Sequence, residues 1–199
     1  MAGTQDGTLY LAPLGLGLRQ GELLALRWQD VDLDAGTVTV AHTLQRLDGT
    51  PVLAQPKTDK RRRPIAVPAP VLASLREHRK RQLAERLAAG AAWQDGGFLF
   101  CSAIGTPPYS SNVLHRFQRQ LAAADLPHQR FHDLRHACAS YLLAAGVPLR
   151  VVQGILGHSQ LSTTADIYAH VTPELQKDAA ARMGAPLDGM LFYGAESLS

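Results

Sequence analysis

The chain has 199 residues, a formal charge of +3 and an ordinary apolar content of 46%, as expected for a soluble globular protein. No run of about 18 apolar residues predicts a membrane span, and the polar start of the chain does not resemble a signal peptide. The two cysteines, Cys101 and Cys138, suggest neither a disulfide framework nor a zinc site. We expect both to be reduced and buried in a cytoplasmic protein.

The first part of the chain predicts a helix followed by a small antiparallel meander. Apolar spacing favours a helix over residues 9–26, although Pro13, Gly15 and Gly17 make its start uncertain. Alternation predicts a strand at 37–40, and Asp48-Gly49 is typical of a hairpin turn leading into a returning strand at 52–55. A third short strand is expected at 64–68, where prolines limit its pairing.

The rest of the chain predicts helices. The first begins at residue 69, ends at Gly90 and has one apolar face: Val71, Leu72, Leu75, Leu83 and Leu87. A short buried segment at 98–100 precedes a helix that Ser110 or Ser111 can cap. Further helices are expected at 132–145, at 149–156, around Tyr168 and at 172–183. The predicted fold is therefore mainly α with a small antiparallel β-sheet (α+β).

The basic residues are concentrated in two stretches. The first comprises Lys57, Lys60, Arg61, Arg62 and Arg63. The second lies on the predicted helix after residue 69 and comprises Arg76, His78, Arg79, Lys80, Arg81 and Arg86. Such clustering favours a polyanion as partner, but a solvated loop and a solvated helix face explain the charges equally well.

Several residues that carry reactive chemistry are individually weak signals. Arg19 with Glu22 three residues later is typical of a surface ion pair. His132 and Arg135 are also three apart and share a predicted helix face. A zinc site at His132 and His136 is not favoured, because the intervening glutamate of a metalloprotease helix and a third ligand are both missing.

In chain order, the sequence has an arginine, a lysine, a His-x-x-Arg pair, a Gly-His pair and a tyrosine. This order resembles the tyrosine recombinase or phage integrase family from about residue 14 to residue 171. The most specific segments are GLRQGEL at 17–23, HDLRH at 132–136, and LGHS at 156–159 followed by a tyrosine at 168. The resemblance assigns catalytic roles to Arg19, Lys57, His132, Arg135, His158 and Tyr168. It also assigns a supporting role to Glu22.

The resemblance implies a site-specific recombinase that cleaves and rejoins double-stranded DNA through a 3′-phosphotyrosyl intermediate. Tyr168 is then the nucleophile, and Arg19 and Arg135 bind the nonbridging phosphate oxygens. His132 is expected to help accept the Tyr168 proton, and His158 to donate a further hydrogen bond to the phosphate. Lys57 is expected to protonate the departing 5′ oxygen. We expect no cofactor, neither ATP nor a metal. The remaining basic residues of the first stretch, Lys60, Arg61, Arg62 and Arg63, are expected to bind DNA.

The resemblance also implies a domain organisation and a partner. We expect a catalytic domain over residues 1–187 and a tail over 188–199. Family members usually also have an N-terminal core-binding domain, which we expect to be absent here because only 18 residues precede Arg19. A homotetramer on DNA is expected to use the C-terminal helix at 172–183, which can equally fold back on its own domain. Two alternative functions remain open: a recombination-deficient DNA-binding fragment of an integrase, and an enzyme like the type IB topoisomerases.

Overall fold

The computed structural model describes residues 5–54 and 63–157 and confirms a mainly helical fold with small antiparallel sheets. The helices are α1 (Gln5–Leu16), α2 (Gln20–Ala25), α3 (Ala69–Ala89), α4 (Ser110–Ala123), α5 (Asp133–Ala144) and α6 (Leu149–Leu156). The strands are β1 (Val31–Asp32), β2 (Thr37–Val40), β3 (Thr43–Leu47), β4 (Thr50–Ala54) and β5 (Arg63–Ala66). Among these helices, none combines the length and apolar character required to cross a membrane.

The helix predicted over residues 9–26 is two helices, because the chain turns sharply at Gly17. Gly17 has a φ of +62°, and its N–H donates to the Pro13 carbonyl at 2.9 Å, which ends α1. Arg19 then adopts extended backbone and forms the N-cap of α2. The break therefore brings Arg19 and Glu22 to the start of a new helix.

The predicted single meander is instead two sheets. β2 lies between β1 and β5 in one antiparallel sheet, and β3 pairs with β4 in the other. The predicted hairpin turn is confirmed, since Asp48 and Gly49 both have positive φ, as a type I′ turn requires. Pro64 lies on β5 at the edge of its sheet, where its missing N–H costs no ladder bond.

The main core is formed where α1 packs against α3 and α5. Its fully buried side chains include Leu9, Leu16, Leu23, Leu75 and Leu99. A smaller cluster between α5 and α6 contains Ala139, Leu143, Val152 and Leu156. Cys101 and Cys138 are buried and unbridged, as predicted, and burial raises the pKa of both thiols.

The later helices follow the sequence pattern closely. α5 and α6 end near Gly146 and at Gly157, and both glycines have positive φ. The N-cap of α4 is Tyr109, however, so the predicted serine cap is wrong. The helices predicted around Tyr168 and at 172–183 lie outside the described residues.

The buried face of α3 differs from the predicted one. Leu83 and Leu87 are exposed, whereas His78 and Gln82 are buried. The reason is that the short segment 98–101 presents backbone carbonyls to α3, and buried carbonyls need donors. Gln82 Nε2 donates to the carbonyls of Phe98 and Leu99 at 3.1 Å each.

The basic residues of α3 have local partners or are buried. Lys80 pairs with Glu77, and Arg86 pairs with Asp95, both at 2.8 Å. The Arg76 guanidinium donates to the Leu33 carbonyl at 2.7 Å. These contacts support the interpretation of this stretch as a solvated helix face.

His78 makes the stability of this core pH-dependent. Its ring stacks against the rings of Trp28 and Phe100, and its Nε2 lies 2.7 Å from the Leu99 carbonyl oxygen. Burial lowers the pKa of His78 below its ordinary value of 6.5, and the charge of Arg81 lowers it further. The unfolded chain therefore binds a proton first as the pH falls, and the free energy of unfolding decreases below about pH 6.5.

We expect His78→Phe to reduce this pH dependence, since it retains an aromatic ring and removes the titrating group. Gln82 still donates to the Leu99 carbonyl in the variant. Urea denaturation between about pH 5 and 7.5 measures the slope for both proteins. Equal slopes in the variant and the original protein would show that His78 does not cause the effect.

Candidate active site

Arginines at three distant positions in the sequence converge on one buried carboxylate. Glu22 accepts hydrogen bonds from the backbone N–H and Nη1 of Arg19, at 3.0 and 2.9 Å. Arg63 donates from Nη2 and Nη1 to the two oxygens of the same carboxylate, at 2.9 and 3.3 Å. Arg135 Nη1 lies 3.8 Å from Glu22 Oε2. We call these four residues the arginine cluster.

The same arginines also bind the C-terminal end of α6. Three successive carbonyls each accept from a different arginine: Ile155 from Arg63 Nε at 2.9 Å, Leu156 from Arg135 Nη2 at 2.7 Å, and Gly157 from Arg19 Nη2 at 3.4 Å. The last carbonyls of a helix lack intrahelical partners and carry partial negative charge. The end of α6 therefore supplies the acceptors that the arginines need.

Glycine is strongly favoured at position 157 for two reasons. Its φ is +66°, which L side chains rarely adopt. A Cβ atom there would also lie 2.7 Å from Arg63 Nη1, because the guanidinium packs against the glycine. Gly157 is the last described residue before His158, so the arginine cluster is adjacent in sequence to that candidate residue.

Glu22 and Arg135 keep their charges at neutral pH. Burial by itself raises the pKa of Glu22, but the hydrogen bonds and charges of Arg63 and Arg19 outweigh burial and hold it below its ordinary value. Burial and the neighbouring charge of Arg19 lower the pKa of Arg135 to about 10, against the effect of Glu22. Three guanidiniums and one carboxylate leave an excess of two positive charges, which suits an anionic ligand.

The arginines of the cluster differ in their access to solvent. The Arg19 side chain is 44% exposed, whereas those of Arg63 and Arg135 are 10% and 3% exposed. Arg135 Nη1 also donates to the Gly17 carbonyl. Arg19 is thus the arginine of the cluster that an external phosphate can reach most directly.

His132 forms the N-cap of α5, next to the arginine cluster. Partial burial and the charges of His136, Arg135 and Arg19 lower its pKa, so its imidazole is mostly neutral at pH 7 and has an acceptor nitrogen. Its ring packs edge-on against that of His136 at 4.8 Å. In residues 5–54 and 63–157, no group of three or more His, Cys, Asp or Glu side chains is arranged to hold a metal ion.

The structure brings together only part of the predicted site within the residues it describes. Arg19, Glu22 and Arg135 form one cluster, with His132 beside it. The other candidates lie outside the described residues: Lys57, Lys60, Arg61, Arg62, His158 and Tyr168.

The sequence reasoning missed the position of Arg63. It grouped Arg63 with the residues that bind DNA, whereas the structure directs its guanidinium inward to Glu22 and Ile155. The signal was available in the strand pattern. Arg63 and Ile65 are two residues apart and both buried, while Pro64 and Ala66 are exposed.

Glu22 stabilises the fold by balancing the buried guanidiniums. We expect Glu22→Gln to lower the free energy of unfolding by about 3–5 kcal/mol, because it leaves buried charge without a counterion. Urea denaturation at pH 7 provides the measurement.

Glu77→Gln is the matched control, since Glu77 is an exposed carboxylate paired with Lys80. It should leave the denaturation midpoint almost unchanged, as exposed ion pairs contribute little. If Glu22→Gln is as stable as Glu77→Gln, the buried carboxylate does not hold the cluster together.

Comparison with known proteins places this geometry in a family context. The family model described as "Phage integrase family" matches residues 4–174. A "Tyrosine recombinase XerC-like" protein of Caldanaerobacter subterraneus subsp. tengcongensis is 35% identical over 183 residues, covering 86% of this chain and 47% of that protein. An integrase of Streptomyces ambofaciens is 32% identical over 195 residues, covering 92% and 49%.

The fold has a close counterpart among solved structures. The integrase of the Tn1549 transposon, in complex with transposon right-end DNA, superposes with a TM-score of 0.77 at 26% identity, covering 90% of this chain and 59% of that one. This chain spans about half the length of the curated relatives it matches. Because the family model matches most of its residues, the chain belongs to the phage integrase family.

Proposed function

We propose that this chain carries the catalytic part of a site-specific DNA recombinase. The observation that carries the proposal is the arginine cluster, in which Glu22 holds Arg19 and Arg135 together beside the Gly157 turn. This cluster joins the segments whose sequences resemble the family's catalytic motifs. The named relatives are recombinases and integrases, and the Tn1549 integrase was solved with DNA.

The proposed reaction conserves the energy of the phosphodiester bond. The Tyr168 oxygen attacks the scissile phosphorus, the bond to the 5′ oxygen breaks, and a 3′-phosphotyrosyl ester forms. Arg19 and Arg135 stabilise the charge that develops on the nonbridging oxygens, and His158 donates a further hydrogen bond. Neutral His132 helps accept the tyrosine proton, and Lys57 protonates the leaving 5′ oxygen. The reverse steps rejoin a strand.

The proposal includes the interactions that such a reaction needs. Lys60, Arg61 and Arg62 bind the phosphates of double-stranded DNA. Residues 1–187 form the catalytic domain, and the segment 172–183 docks on a neighbouring copy in a homotetramer on DNA. The expected cytoplasmic location belongs to this proposal as well.

Two other functions predict different behaviour. A DNA-binding fragment without recombination activity would bind DNA and form no covalent adduct. An enzyme like the type IB topoisomerases would form the adduct and relax supercoils without pairing two sites. The relatives favour recombination, since they are named recombinases and integrases.

We expect Tyr168→Phe to abolish covalent adduct formation while DNA binding is retained, because the substitution removes only the attacking oxygen. A nicked suicide substrate traps the adduct, and denaturing gel electrophoresis detects it. Tyr141→Phe is the matched control, because Tyr141 is an exposed tyrosine on α5. Adduct formation by Tyr168→Phe at the original rate would refute the assignment of the nucleophile.

The role of Lys57 can be tested through the leaving group. We expect Lys57→Ala to cleave slowly and to recover on a substrate with sulfur at the 5′ bridging position, because a thiolate leaves without protonation. Arg19→Ala serves as the comparison, since it removes phosphate stabilisation and leaves the acid in place. If the sulfur substrate rescues both variants equally, Lys57 is not the general acid.

A further inference from the structure

We propose that Arg63 is a positioning residue for the reaction and not a DNA contact. It holds Glu22 and the end of α6 in the relative positions at which Arg19 and Arg135 can bind the phosphate. The kinetic consequence rests on the proposed function, whereas the positioning itself rests on the geometry of the arginine cluster.

The hydrogen bonds of Arg63 are directed into the protein. Its two Nη atoms contact the two oxygens of Glu22 side by side, and its Nε donates to the Ile155 carbonyl. The guanidinium also packs against Gly157. All three nitrogens of the Arg63 guanidinium therefore donate to Glu22 or Ile155, which leaves its fork directed into the protein and not towards a DNA phosphate.

Arg63 connects parts of the chain that are far apart in sequence. Glu22 lies on α2 and accepts a hydrogen bond from Arg19, whereas Ile155 lies on α6, two residues before Gly157. Arg63 itself begins β5 and lies six residues after Lys57. The Arg63 guanidinium therefore connects Glu22, which binds Arg19, to the end of α6, which leads to His158. Arg63 also follows the segment that contains Lys57.

Lysine cannot reproduce these contacts. Arginine presents its donors in a planar fork that matches a carboxylate, with Nε available for a further acceptor, whereas lysine has a single ammonium. Arg63→Lys keeps the positive charge but loses the paired contact with Glu22 or the contact with Ile155. This separates the effect of geometry from the effect of charge.

The first measurement separates chemistry from DNA binding. We expect Arg63→Lys and Arg63→Gln to form the Tyr168 adduct at least about tenfold more slowly at saturating suicide substrate, because displacement of catalytic groups by about 1 Å can cost about a hundredfold. The DNA concentration for half-maximal rate should change less than about twofold, because the substitution removes no phosphate contact. A higher half-saturating concentration with an unchanged maximal rate would make Arg63 a DNA contact and overturn the proposal.

Arg86→Lys and Arg86→Gln are the matched controls, since Arg86 forms an exposed ion pair with Asp95. All variants are compared well below their thermal unfolding midpoints, so that loss of folded protein does not lower the rate. We expect the Arg86 variants to retain the original adduct rate. A rate loss of the same size in the Arg86 and Arg63 variants would contradict a specific role for Arg63.

A second measurement does not depend on DNA cleavage. In protein labelled with ¹⁵N-arginine, we expect Arg63→Lys to shift or broaden the Nε–H signals of Arg19 and Arg135 in the NMR spectrum, while that of Arg86 stays in place. Unchanged Arg19 and Arg135 signals would overturn the positioning role, whether or not the chain cleaves DNA. If these signals change but the original protein forms no adduct, the proposed function fails and the positioning role stands.

Discussion

The arrangement of the site depends on the burial of one carboxylate. An ionised glutamate away from water is costly unless cations and hydrogen bonds compensate, and here Arg19 and Arg63 supply both. The requirement is mutual, because a guanidinium buried as deeply as that of Arg135 needs a nearby counterion and acceptors. Glu22 therefore determines where arginines from three distant segments meet.

The C-terminal end of α6 provides the second half of this arrangement. The carbonyls of residues 155–157 would lack partners in an isolated helix, and each one accepts from an arginine of the cluster. The arginines thus provide hydrogen-bond donors for the last carbonyls of α6, and these carbonyls fix the orientation of the guanidiniums. Gly157 allows this approach because it has no side chain and a positive φ.

The sequence was most informative where local chemistry decides the structure. Asp48-Gly49 predicted the hairpin turn, and Gly146 and Gly157 predicted the ends of α5 and α6. The break at Gly17 was less evident, because apolar residues continue on both sides and the space that a side chain would need is occupied by the distant Leu156. Such contacts between distant segments are not visible in a local pattern.

The same distinction explains which parts of the site could be predicted. The motifs identified Arg19, Glu22 and Arg135 as a group, and these residues meet in the structure. The motifs placed Arg63 with its basic neighbours, because local charge cannot show which arginine turns inward. Strand alternation can indicate that Arg63 faces inward, but its partners are a carboxylate 41 residues earlier and a carbonyl 92 residues later, so only the tertiary fold reveals what it contacts.

The cluster also explains how a cationic site can be both rigid and available to an anion. Glu22 and the α6 carbonyls use the inward donors of the arginines, so the guanidiniums are oriented before any ligand arrives. Arg19 remains partly exposed, and the excess of two positive charges is not cancelled internally. A phosphate that binds there meets donors already in place, so little further reorganisation is needed when charge develops on its oxygens. Within the cluster, Arg63 therefore holds the other groups in position, whereas the partly exposed Arg19 is the arginine that an anion can reach.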